Sequence, residues 1–150
     1  MGLFDAIDIS GSALSAERLR MDVTAENLAN ANTTRGANGA AYRRKVVVLT
    51  EQNGMGAGSS FGNTLAAEMR RGEKPGGVQV AAIAEDTTPN RRVYDPGHPD
   101  ADQDGYVEMP NVDSVTEMVV LISASRAYEA NVTAMQAAKQ LFTKTLELLR

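Results

Sequence analysis

Apolar positions are periodic at the two ends of this chain and irregular in its middle. From about Asp5 to Ala31, Ile7, Leu14, Met21 and Leu28 recur every seven residues, with Phe4 and Ala25 alongside. That spacing predicts a helix with one apolar stripe. The stripe is thin, because Gly11 and Arg18 occupy neighbouring seam positions. The other end is stronger. Met118, Leu121, Ser125, Tyr128, Val132, Met135, Lys139, Phe142, Leu146 and Leu149 alternate spacings of three and four without a slip. This is a heptad seam with one polar slot, Ser125, and one charged slot, Lys139. A second apolar strip of Val115, Val119 and Ile122 widens the face near its start. Ser114-Val115-Thr116-Glu117 has the capping-box form, in which hydroxyl and carboxylate reciprocally satisfy free amides at a helix start.

The predicted helix from Asp113 to Arg150 is about 57 Å long at 1.5 Å per residue. A compact globule of this chain length is only about 40 Å across. An elongated molecule is therefore expected. The N-terminal stripe covers only part of the seam, so further partner surface is expected from other chains.

The middle reads as strands and loops. Tyr42 to Thr50, Val78 to Ile83 and Tyr106 to Met109 are strand candidates, and Gly54 to Gly62 is a Gly/Ser loop. All five prolines lie between Pro75 and Pro110, and nine of the 13 glycines lie between Gly36 and Gly77. Beyond Pro110 neither occurs again, which is itself a helix signal. The expected fold is α+β and elongated. Long terminal helices, residues 1–32 and 112–150, form a coiled-coil layer, with a small irregular β domain, residues 33–111, between them.

Composition narrows the function. The 150 residues carry 15 Lys+Arg against 19 Asp+Glu, a net charge of −4, which argues against a protein that grips nucleic acid through its phosphates. There is no cysteine and one histidine, His98, which excludes thiolate sites and sites built from several imidazoles. The aliphatic run Val119-Val120-Leu121-Ile122 is far short of a bilayer span, so no direct membrane insertion is expected. Met1-Gly2-Leu3-Phe4-Asp5 has no basic lead, so no cleaved signal peptide is expected. Charge is uneven along the chain: −3 over residues 1–33, +4 over 34–77, −5 over 78–111 and 0 over 112–150. Oppositely charged surfaces of neighbouring copies could pair, or the charges could be solvated.

Chemistry-bearing motifs are few. Asp100-Ala-Asp102-Gln-Asp104-Gly105 resembles the opening of a calcium loop, but Asn111 stands where the bidentate Glu belongs and Pro96 and Pro99 break the entering helix. The competing reading is an Asp-rich turn whose carboxylates accept from local amides. His98 is a lone loop histidine, and Ser59 and Ser60 lack any nucleophile-elbow or phosphate-loop spacing. Arg43-Arg44-Lys45 and Arg70-Arg71 read as solvated edge charges. Nothing assembles an enzyme, and no cofactor is expected.

Two polar clusters flank the middle. Asn27-Leu28-Ala29-Asn30-Ala31-Asn32-Thr33-Thr34-Arg35-Gly36 is asparagine-dense at a helix end, which suits a helix stop and turn. Ser125-Arg126-Ala127-Tyr128-Glu129-Ala130-Asn131 lies inside the long helix, where weak helix formers suggest interhelix hydrogen bonding, or a solvated face for Arg126, Glu129 and Asn131.

At these clusters the chain resembles the flagellar rod, hook and hook-associated axial protein family. Asn27, Leu28, Ala29 and Asn30 with Thr34-Arg35-Gly36 look like its N-terminal signature. Ser125, Arg126, Tyr128 and Asn131 look like its C-terminal one. The runs Phe4 to Leu14, Tyr94 to Asp102 and Gly105 to Val112 are similar to a short proximal-rod subfamily. The stretch Gly54 to Gly77 is longer than the family pattern.

The resemblance implies a structural subunit of the bacterial flagellar rod, crossing the periplasm and transmitting motor torque. It implies export by the flagellar type III apparatus without a cleaved signal. It also implies an inner layer of terminal helices, contacts to other rod proteins and to copies of itself, and no catalysis. Isolated helices gain little without packing, so both ends are expected to order on assembly. A coiled-coil adaptor or secreted interaction protein, and more weakly a calcium module, are the alternatives.

Overall fold

The computed structural model describes residues 3–36, 39–52 and 76–148. The Gly54–Gly62 loop, Ser59, Ser60, Arg70, Arg71 and Leu149 lie outside these residues. Six elements follow in order: α1 (Leu3–Ala29), β1 (Lys45–Glu51), β2 (Val78–Glu85), β3 (Arg91–Tyr94), β4 (Tyr106–Met109) and α2 (Ser114–Leu148). The class is mixed α+β. At 35 residues, α2 is about 52 Å long. Among the described residues no helix is long and apolar enough to cross a membrane.

The strands form two two-stranded sheets, β1 with β2 and β3 with β4. Gln52 N–H donates to Gly77 O at 2.7 Å and Asp86 N–H to Arg44 O at 2.8 Å. The end of β1 thus meets the start of β2 and the reverse, so the pair is antiparallel. β3 was not among the predicted strands. Its two arginines and flanking prolines hide the pattern, and only the partner strand reveals it. The antiparallel register pairs Arg91 with Met109, Arg92 with Glu108, Val93 with Val107 and Tyr94 with Tyr106.

The chain divides into two compact units, and each helix contributes a segment to each. One unit comprises Met1–Glu17, Leu49–Ala81 and Arg126–Arg150; the other comprises Arg18–Val48 and Ala82–Ser125. The first buries Ala16 and Ala138. Here Gly77 lies so close to α1 that a Cβ on it would sit 2.2 Å from Ser12 Oγ. That approach lets Val78 N–H donate to Ser12 Oγ at 3.0 Å, while the hydroxyl donates to Ile9 O at 2.7 Å. The second unit buries Val23, Ala41, Val107 and Ala124 around a polar centre.

The start of α2 departs from the capping box. Asp113, one residue earlier, is the cap: its carboxylate accepts from Val115 N–H at 3.2 Å and from Thr116 Oγ1 at 2.6 Å. These hydrogen bonds, Thr116 first, hold the Asp113 carboxyl below its usual value. The Glu117 carboxylate, released from capping, points into the second unit.

Candidate assembly interface

Asn27 sits in the last turns of α1 and is 1% exposed. A buried amide must satisfy two donors and an acceptor oxygen. Asn27 Nδ2 donates to Lys45 O at 2.8 Å and to Glu117 Oε2 at 3.1 Å. Its Oδ1 accepts from Tyr42 Oη at 2.9 Å and from Lys45 N–H at 2.9 Å. One side chain therefore ties the end of α1 to the start of β1 and to the first turn of α2.

Glu117, also 1% exposed, is the second half of the joint. A buried carboxylate needs a cation and further donors. Arg44 supplies the cation: its Nε donates to Glu117 Oε1 at 2.7 Å and its Nη1 to Asp86 Oδ2 at 3.3 Å. Asn111 Oδ1 accepts from Arg44 N–H at 2.8 Å, and its Nδ2 donates to Thr88 O at 3.0 Å. Lys45 Nζ pairs with Glu26 Oε1 at 2.5 Å and lies 5.7 Å from the centre of the Tyr42 ring.

The joint's electrostatics follow from these contacts. The Glu117 hydrogen bond holds the Arg44 guanidinium above its usual value. Burial pushes the Tyr42 phenol up, with Glu26 adding to it. Glu26 likewise raises Lys45. Hydrogen bonds from Thr88, with Arg44 beside it, lower Asp86.

Reading Arg44 as a solvated edge charge is therefore corrected, while Lys45 keeps its ammonium at the surface beside Glu26. Arg43 is exposed as expected, but Arg44 turns inward because a carboxylate from residue 117 is already there. No local signal could have shown this, since the partner is 73 residues away.

The other motif residues are placed as follows. Leu28 is half-buried and Ala29 closes α1. Asn30 Nδ2 donates to Glu26 O at 2.9 Å and its Oδ1 accepts from Thr33 Oγ1 at 3.1 Å, which makes the stop and turn. Ser125 and Tyr128 are half-buried and Arg126 is exposed. Asn131 Nδ2 donates to Ala127 O of its own helix at 2.9 Å.

The Asp-rich stretch is the β3–β4 loop, and its carboxylates diverge. Asp100 accepts from Thr34 Oγ1 at 2.8 Å and lies 3.6 Å from Arg35. Asp102 accepts from Gln103 N–H at 2.8 Å and lies 4.0 Å from Arg92. Among the described residues no group of three acids or histidines could hold a metal. His98 Nδ1 accepts from Asp100 N–H at 3.1 Å.

The seam positions divide by exposure. Ile7, Leu14, Met21 and Leu28 on α1 are half-buried, beside a fully buried line of Ala16, Val23 and Asn27. On α2, Leu121, Tyr128, Val132 and Met135 are half-buried and flank the buried Ala124 and Ala138. Met118 is exposed, and from Lys139 to Glu147 every residue is exposed, Phe142 and Leu146 included. The second strip is more open still: Val115 is 68%, Val119 62% and Ile122 54% exposed. At 100° per residue this strip lies roughly 140–160° around the helix from Glu117.

Known proteins match this pattern along the whole chain. The family described as "Flagella basal body rod protein" matches residues 7–37, and that described as "Flagellar basal body rod FlgEFG protein C-terminal" matches residues 103–148. The flagellar basal-body rod protein FlgC of Bacillus subtilis (strain 168) is 47% identical over 153 residues, covering 99% of each chain. That of Yersinia enterocolitica is 46% identical over 148 residues, 99% of this chain and 98% of the other. That of Borreliella burgdorferi is 41% identical over 156 residues, 100% and 99%. The chain belongs to the FlgC family of flagellar basal-body rod proteins. As an FlgC-family chain it is a structural subunit of the rod and not an enzyme. It resides in the flagellar basal body and assembles with other rod components. The adaptor and calcium readings are not favoured. The matched segments hold Asn27 and Glu117, the two helical halves of the joint, but not Arg44 between them.

Proposed function

We propose that this rod subunit assembles through its two terminal helices, residues 1–32 and 112–150. They form an inner coiled-coil layer around which the β-rich residues 33–111 are carried. The seam runs through Ile7, Leu14, Met21 and Leu28 on α1 and through Met118, Leu121, Tyr128, Val132, Met135, Phe142, Leu146 and Leu149 on α2. One observation carries this reading: Met118, Phe142 and Leu146 of the seam, and the strip of Val115, Val119 and Ile122 that widens the assembly face beside Met118, remain open to water. Exposed aliphatic strips of this length lose the stabilisation that burial brings, about 25 cal/mol per Å². Neighbouring copies and other rod proteins recover it by covering them. Heterologous contacts that do not close into a ring propagate as a helical tube.

The exposed run from Lys139 to Glu147 supports a further step. Phe142 and Leu146 in this run keep much of their apolar surface in water, and packing against neighbouring subunits adds to the order of this end as the subunit enters the rod. Passage through the flagellar type III export apparatus, and residence in the periplasmic part of the basal body, fit an end that is completed on assembly. Motor torque then passes from copy to copy through the covered seams.

The double variant Val119→Asp, Ile122→Asp tests the reading. It is expected to fold, because both positions are exposed, and to be missing from purified basal bodies, with loss of swimming. Normal incorporation and motility would sink the proposal.

A further inference from the structure

Aromatic residues are scarce here, four Tyr and three Phe with no Trp, so two tyrosines exposed on one hairpin call for an explanation. Tyr94 is 64% and Tyr106 41% exposed, and they are register partners across β3 and β4. Their ring centres are 5.3 Å apart with planes at 66°, an edge-to-face pair. The pair is built, not incidental. Gly105 adopts φ +77°, and a Cβ there would meet the Tyr94 ring at 3.0 Å, so the turn is kept clear for that ring. The Arg92 guanidinium lies 5.2 Å from the Tyr106 ring centre and holds one side of the platform.

Charge selects what such a platform accepts. Between residues 91 and 109 two arginines stand against five carboxylates, a net −3. Asp95, Asp102, Asp104 and Glu108 are exposed around the rings. Ring faces are negative and attract cations, and the surrounding carboxylates add to that field while repelling acidic partners and nucleic acid. Rigid tyrosines offer contact area at low entropy cost, which suits a protein interface.

We propose that the Tyr94–Tyr106 platform is a second contact surface, separate from the helix seams, that receives an arginine or lysine side chain from a neighbouring rod subunit. The incoming cation packs on the Tyr94 ring within reach of the hairpin carboxylates. The proposal rests on the rod-subunit reading above and adds an outer point at which subunits grip one another.

The test uses the full chain in flagellated cells that lack the native copy, with a photo-crosslinking amino acid at the exposed position Gln103. Irradiated basal bodies are purified and the adduct mapped by mass spectrometry. The expected adduct lies on a rod-subunit peptide containing Arg or Lys. Its yield stays within about twofold in the Tyr94→Phe background, which keeps the ring, and falls about tenfold with Tyr94→Leu, which removes it. Asp104→Lys, which leaves both rings in place, lowers the yield several-fold. An adduct on a glycan or on a peptide without a cation, no adduct in rods that contain the chain, or equal yields for the Phe and Leu variants would overturn it. Absence of the unsubstituted chain from the rods would instead overturn the subunit reading, and this one with it.

Discussion

Glu117 and Val119 are two residues apart on α2, yet their surroundings are inverted. The carboxylate is 1% exposed and bonded to Arg44 and Asn27; the aliphatic side chain is 62% exposed. A globular monomer would place them the other way round. The difference teaches that this helix serves two masters. Its Glu117 face is closed within the chain by directional polar bonds to Asn27 and Arg44. Its outer face is left as apolar surface, which is non-directional and suits a contact completed by another molecule.

Breaking the joint should have the largest effect on the isolated chain. Arg44→Leu leaves Glu117 buried without its cation, and unfolding stability should fall by about 3–5 kcal/mol, read by chemical denaturation. Asn27→Ala strands the partners of four hydrogen bonds and should cost about 2–4 kcal/mol in the same assay. A smaller loss is expected at the Ser12 contact. Gly77→Ala places a methyl against Ser12 and should cost about 1–3 kcal/mol, with the melting temperature as readout. The open face should respond least. Val119→Asp with Ile122→Asp should shift stability by less than about 0.5 kcal/mol per site while preventing incorporation. A large destabilisation there would show that the strip is covered within the chain, and the contrast would collapse.

Acid sharpens the comparison further. Asp86 and Asp113 are both held below the ordinary carboxyl value of 3.8. A depressed folded value means their stabilisation is fully present above the unfolded value and is lost as pH falls through the folded one. Unfolding followed from pH 6 to about pH 2 should show this loss, and Asp86→Asn should remove its share of the slope. The aliphatic strip has nothing to titrate, so Val119→Ala and Ile122→Ala should keep the parent profile.

Much of this was legible residue by residue. Helix α2 followed from three-and-four spacing, and α1 from its seven-residue stripe, because helix periodicity is a local property. The asparagine cluster was visible as a helix stop, and Asn30 with Thr33 makes it. The Asp-rich turn was visible in part: Asp102 accepts from a local amide, whereas Asp100 reaches the Thr34 hydroxyl 66 residues away. Other features were misread for a shared reason. Ser114 looked like the cap, but Asp113 takes that role since Glu117 is needed elsewhere. Arg44 looked solvated, and β3 looked like loop.

The sequence alone determined two amphipathic helices, a strand-rich middle and a membership carried by short motifs at both ends. Each depends on residues within a few turns of one another. Tertiary structure decided which polar side chains go inside, because a buried charge is tolerated only where a counter-charge and donors meet it from distant segments. It also decided which apolar residues stay outside, because exposure depends on which surfaces the chain has left to cover them.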